Sequence, residues 1–223
     1  MTRFKLVIAL FLFGFSENSN GQQNDFVTWN YLNFNYKLNE NLSIGFSEHH
    51  MRNKNATETW LFLHDLSINH RLSQHLSHEL HTRLIQQKRL DDNFQEREMM
   101  YYAVQGKWKV IGINIGARSR WQGMVYGNHF DDQYKGPFFY HRFRISLTKN
   151  ISYRWHISSN VEFFQPLNRP QRSYIDQIRL GFLVSNKLNK HITIDHSFQI
   201  QQQKNRSNPY QYFVLGIGCN FAW

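Results

Sequence analysis

The chain has 223 residues, 41% of them hydrophobic and 16% aromatic, with 26 basic and 16 acidic side chains and a formal charge of +10. That aromatic load excludes disorder, and a single cysteine, Cys219, excludes a disulfide framework or a multi-cysteine zinc site. A mean hydropathy of −0.60 argues against a helical membrane protein, but not against a membrane barrel, whose strands alternate lipid-facing and lumen-facing residues.

Arg3 and Lys5 precede an apolar run over residues 6–15, and small and polar residues follow from Ser16 to Gly21. A basic start, about ten apolar residues and a small-residue end describe a secretory signal peptide. The run is far short of the roughly 20 residues of a membrane-spanning helix. Ser19 and Gly21 fit the positions before a cut, so a signal peptide is expected over 1–21 and one domain over 22–223. Removing 21 of 223 residues, among them Arg3, Lys5 and Glu17, leaves 202 residues and a charge of +9.

Beyond residue 22 the apolar period is two. Alternating runs cover 26–38, 42–52, 58–72, 75–89, 96–105, 109–122, 137–147, 151–165, 173–188, 191–203 and 210–223. In the sixth run Ile113 and Ile115 alternate with Asn114 and Gly116. In the seventh Phe143, Ile145 and Leu147 alternate with Arg142, Arg144 and Ser146. The last is the clearest: Phe213, Leu215, Ile217, Cys219, Phe221 and Trp223 face away from small or polar neighbours. Strict alternation over such lengths means strands with one apolar side.

A polar turn recurs between runs: Lys37 to Ser43, Arg71 to Ser77, Ser146 to Ser152 and Lys187 to Thr193, with a degenerate copy at Gln105 to Lys109. This is a hairpin unit used repeatedly. Longer, variable loops lie at the opposite strand ends and hold or flank all four prolines. Short turns at one end and long loops at the other describe outer-membrane barrels, with the turns periplasmic. The runs reach the 9–11 residues that cross a bilayer at a tilt. Trp29, Tyr31, Phe34, Tyr36, Trp60, Phe62, Trp108, Trp121, Phe138 and Phe139 are candidates for an interfacial belt. An odd number of runs conflicts with the even-strand rule for bacterial barrels, which implies a missed or split strand. The expected fold is therefore an all-β, antiparallel transmembrane barrel of 10–12 strands.

The entry Asp25-Phe26-Val27-Thr28-Trp29, the Lys-Leu-Asn-x-Asn-Leu-Ser turns and the aromatic C-terminus resemble the domain of unknown function 2490 family. That resemblance implies a Gram-negative outer-membrane barrel over essentially the whole mature chain, and it brings no catalytic residues with it. Leu215, Ile217, Phe221 and Trp223, at alternate positions, are also similar to the C-terminal signal read by barrel-assembly machinery, with Trp in place of the usual final Phe.

Twelve histidines invite a metal or acid–base reading, but none shows a spacing with strong metal meaning. No metal or other cofactor is expected. A rim protease could draw on His129, Asp131, Asp132, Asp91 and His49. A lipid hydrolase would need a Ser and a His facing outward at one height, and His196 sits among apolar neighbours without a nucleophile motif. The basic residues are spread along the strands rather than forming a run or helical stripe, which argues against a nucleic-acid partner. Lipopolysaccharide, membrane lipid and the assembly machinery are the expected partners; oligomeric state is open.

The lumen positions include Arg118, Arg120, Arg142, Arg144, Arg154 and Arg179, with Arg144 expected about opposite Arg154. Asp65, Glu79, Glu162 and Asp195 are the lumen carboxylates. Either these acids neutralise the arginines in an ionic plug, or uncompensated arginines form a positive wall that holds or passes anions. The expected function is a non-enzymatic barrel acting as a narrow channel, an anion- or ligand-binding barrel or a structural surface protein. An outer-membrane hydrolase is the alternative.

Overall fold

The computed structural model describes residues 23–88, 93–126, 137–168, 174–205 and 209–223. Eleven strands form one closed barrel: β1 (Gln23–Lys37), β2 (Leu42–Asn53), β3 (Glu58–Arg71), β4 (Leu76–Lys88), β5 (Phe94–Val110), β6 (Ile113–Tyr126), β7 (Phe138–Asn150), β8 (Trp155–Pro166), β9 (Gln177–Lys187), β10 (Ile192–Gln203) and β11 (Tyr210–Ala222). Each pairs antiparallel with the next, and β1 closes on β11 in parallel.

Eleven is also the number of apolar runs, so among the described residues no strand is missing or split. The even-strand rule does not hold here for a geometric reason. In an up-and-down meander with an odd count, the first and last strands point the same way, and closure then requires one parallel pair. β1 accordingly starts at the loop end and finishes, like β11, at the turn end. The seam is well made: the Lys37 amide donates to the Trp223 carbonyl at 2.9 Å, the Trp223 amide donates to Asn35 at 3.0 Å, and Phe34 stacks on Phe221 at 5.0 Å.

The recurring turn has one physical cause. Asn39 Oδ1 accepts the amides of Asn41 and Leu42 at 2.8 and 2.9 Å, and Asn189 Oδ1 accepts those of His191 and Ile192 at the same distances. The Ser73 hydroxyl does so for His75 and Leu76, and that of Ser152 for Arg154 and Trp155. A short polar side chain that binds the backbone two and three residues ahead fixes a tight turn. The third copy is therefore centred on Ser152, not on residues 148–150, and β8 begins at Trp155 rather than at 151. Thr148 spells the motif but lies in the ladder opposite Ser158. The degenerate copy at 105–109 is not a turn either. Gly106 lies within β5 with the Trp108 ring laid across it, and the chain reverses at Ile111-Gly112, whose φ values of 48° and 73° suit a two-residue hairpin.

Alternation gives the barrel an apolar outside and a polar inside. Leu32, Phe46, Leu66, Leu80, Phe182, Leu215 and Ile217 are exposed on the outer face, while Asp65, Arg118, Arg120, Arg142 and Glu162 are buried. This inversion suits hydrocarbon solvent, where a closed sheet leaves no strand edge unpaired. Four of the aromatic belt candidates are not on the outside: Trp29 and Tyr31 face the lumen, Phe138 is buried, and Trp60, at an irregularity in the β2–β3 pairing, stacks on the inward Tyr212 of β11.

Candidate anion site in the barrel lumen

Arg118 and Arg120 on β6, Arg142 and Arg144 on β7 and Arg179 on β9 all line one lumen cavity. Arg154 does not. It lies in the exposed turn after β7, where its carbonyl accepts the Lys187 amide at 2.8 Å. The expected Arg144–Arg154 pair is thereby overturned, because the turn sits further along the chain. Arg144 stands opposite Glu162 instead.

Two like-charge pairs do face each other across β6 and β7, Arg118 with Arg144 and Arg120 with Arg142. Such pairs destabilise a ladder unless something answers them. Glu162, on the inner face of β8 and 2% exposed, answers part of the charge. Arg118 donates to its Oε1 and Arg142 to its Oε2, both at 2.7 Å, and Arg179 lies 3.8 Å from Oε2. One carboxylate thus holds three guanidiniums drawn from three strands. Arg142 also lies over the Phe164 ring at 4.0 Å and donates to Gln122, and Arg179 donates twice to Gln201.

A second cluster stands on β3, β4 and β5. Asp65 accepts from Arg83 and lies 2.6 Å from His81 Nδ1, while Arg83 donates to the Tyr101 hydroxyl at 3.0 Å. Glu79 approaches the other ring nitrogen of His81 at 3.4 Å. Arg83 and Tyr101 are not singled out in the sequence reading, and His81 enters it only as one of the histidines without a metal spacing. The signal was present, since Glu79, His81 and Arg83 alternate with the outward Leu80 and Leu84, but strand pairing is needed to bring Asp65 to them.

Arg120 lies between the clusters. Its guanidinium covers the Tyr101 ring at 3.8 Å, the residue is 5% exposed, and its Nε has no hydrogen-bond partner. Arg144 has no hydrogen bond or ion pair among the described residues. The cavity is about 680 Å³, and its wall carries six arginines against three carboxylates, Asp65, Glu79 and Glu162. The fourth expected lumen acid, Asp195, is engaged elsewhere, accepting from Tyr31 and Asn220 at 2.8 Å each.

Residues 26–212 match the family described as protein of unknown function (DUF2490). The chain belongs to that family. The translocator domain of the autotransporter NalP from Neisseria meningitidis is similar to this DUF2490 barrel at 10% identity, with 93% of this chain and 90% of that chain covered and a TM-score of 0.37. No curated protein matches the sequence.

The remaining sequence candidates are scattered in the DUF2490 barrel. Leu215, Ile217, Phe221 and Trp223 occupy the outer side of β11 and its end. His49 is not at the rim; it faces the lumen and accepts the Trp29 indole N–H at 3.0 Å. His196 faces outward with no partner among the described residues. Asp91, His129, Asp131 and Asp132 lie outside the described residues.

Proposed function

We propose that this protein is exported by a cleaved signal peptide over 1–21, is assembled into the outer membrane through its C-terminal strand, and binds an anion at the lumen arginine cluster. The observation that carries the reading is the charge imbalance of one cavity: Arg120 and Arg144 have no carboxylate partner in a wall already rich in arginine. Guanidinium groups present planar paired donors that match carboxylate and phosphate oxygens. A phosphate or carboxylate between Arg120 and Arg144 would supply the missing counter-charge. Lipopolysaccharide around the outer rim fits the remaining positive charge.

The test is thermal unfolding of refolded protein in detergent, with inorganic phosphate against chloride at matched ionic strength. Phosphate should raise the midpoint, and the gain should vanish in Arg120→Gln/Arg144→Gln. Equal stabilisation of wild type and double variant would overturn the reading. A planar-bilayer record separates binding from passage. Anion-selective steps mean an open lumen, silence means a closed one, and cation selectivity would defeat the anion reading.

A further inference from the structure

The outer face of the barrel carries polar groups where hydrocarbon is the solvent. Several are paired with one another: Glu48 with His64 at 2.6 Å, His50 with Thr59 at 3.2 Å, His70 with His78 at 2.9 Å, and Ser119 with His141 at 2.7 Å. Pairing relieves the cost of an unsatisfied polar group facing lipid. Two of these, His50 with Thr59 and Ser119 with His141, set a hydroxyl against an imidazole Nε2, and the last is the shorter and carries the less hindered hydroxyl. That pair sets a primary hydroxyl against the ring nitrogen at the distance a nucleophile and its general base require.

We infer that Ser119 and His141 form a lipid-facing acyl-hydrolase centre that cleaves carboxylic esters of membrane lipid. Ser119 lies on β6 opposite Phe143, and His141 lies on β7 opposite Trp121, so the two polar residues are diagonal neighbours on one outer patch. The inward direction of Arg118, Arg120 and Arg142 fixes their outward direction. Both are half-buried, open to a lipid approaching from the side. His141 packs at 5.3 Å from the Trp121 ring, which in turn stacks with Tyr102 at 6.4 Å. Trp and Tyr together mark the headgroup boundary, which is where the ester carbonyls of a lipid lie. Phe143, Ile145 and Phe163 provide an apolar bed beside Ser119 for the acyl chain.

The chemistry follows from the pair. The imidazole tautomer that leaves Nε2 to accept carries its proton on Nδ1. Ser119 Oγ attacks the ester carbonyl carbon while Nε2 takes the hydroxyl proton. The indole N–H of Trp121, with no hydrogen bond among the described residues, is the donor on this patch for the carbonyl oxygen as it gains charge. The carbon–oxygen bond of the ester breaks, and His141 gives its proton to the departing alkoxide. Interfacial water then attacks the acyl-serine, His141 accepts a proton from it and returns one to Ser119 Oγ, and the fatty acid leaves. The sum is ester plus water giving acid plus alcohol. Constellations of this type are recognised by geometry and role rather than by neighbouring sequence, and no Gly-x-Ser-x-Gly motif surrounds Ser119.

The experiment uses the full mature barrel, refolded into mixed micelles of phosphatidylethanolamine and detergent. A fluorophosphonate probe should form an adduct that peptide mass spectrometry places on Ser119, and free fatty acid should be released. Ser119→Ala and His141→Ala should each lower release by at least about a hundredfold. His141→Gln, which keeps a partner for the hydroxyl, should be equally inactive while keeping the wild-type heat-modifiable migration. Glu48→Gln should retain activity. Folded wild-type protein with neither adduct nor release would overturn the assignment, as would release that persists in Ser119→Ala.

Discussion

Arg144 and Glu162 stand directly opposite each other on β7 and β8, yet the carboxylate hydrogen-bonds to Arg118 and Arg142 instead. The acid opposite Arg144 is thus committed to other arginines, and Arg144 is left to the cavity. Glu162 acts as a tie across β6, β7 and β9, and the arginine beside it pays for that arrangement in unanswered charge.

Glu162→Gln should therefore be among the most damaging single changes in the lumen. Removing one partner of a buried ionic cluster costs about 3–5 kcal/mol, because the opposite charges remain buried and unpaired. Urea unfolding in lipid vesicles should show the unfolding free energy fall by that amount, seen as a lower midpoint at unchanged slope. Added phosphate should recover part of the loss, since it can take up the guanidiniums that the carboxylate abandons.

The seam can be tested through the single native cysteine. Leu32 pairs with Cys219 across β1 and β11, and both face outward. Leu32→Cys should form an intramolecular disulfide under mild oxidation, visible as a mobility shift reversed by reductant, because neighbouring strands bring Cα atoms within disulfide range. Asn33→Cys, facing the lumen, should not. A shift in neither variant would refute the parallel register.

Depth in the membrane should be readable by arginine substitution. Leu66, in the middle of β3, is 50% exposed on the outer face. Leu66→Arg should cost about 2–4 kcal/mol, whereas the same change at Ile113, the first residue of β6, should cost about 0–1 kcal/mol. Unfolding in vesicles of matched thickness measures both.

Gly218 makes room for a lumen tyrosine. A Cβ there would sit 1.9 Å from the Tyr31 ring, whose hydroxyl donates to Asp195 at 2.8 Å. Gly218→Ala should displace the ring, break that bond and cost about 1–3 kcal/mol as overpacking. Tyr31→Ala in the same chain should restore most of the loss, which a double-variant cycle would reveal.

Which face a residue occupies was legible in the sequence because the period of two is a local property. It located the outward apolar rows and the inward arginines of β6, β7 and β9 without any knowledge of pairing. Register was not legible, because it depends on where each turn closes. Two stretches spell the same turn around residue 150, and only the Ser152 hydroxyl reaches the backbone amides that decide between them. That displacement moved Arg154 from the lumen to a turn and brought Glu162 to Arg144. Ser119 and His141 were hidden for the same reason: each reads as an isolated polar defect in an apolar row until β6 is laid against β7. Gly106 misled in a different way, since a glycine covered by a neighbouring ring looks in sequence like a reversal.

An even meander returns the chain to the side from which it set out. Eleven crossings cannot. With β1 descending from the loop end and β11 finishing at the turn end, an epitope placed just before Gln23 and one placed after Trp223 would report from opposite compartments. In the proposed outer-membrane setting the leading end of the chain is carried through the bilayer during insertion, and closure waits until the strands most distant in sequence meet without a hairpin to guide them. Antibody access to whole cells, scored separately for the two epitopes, would read that parity directly.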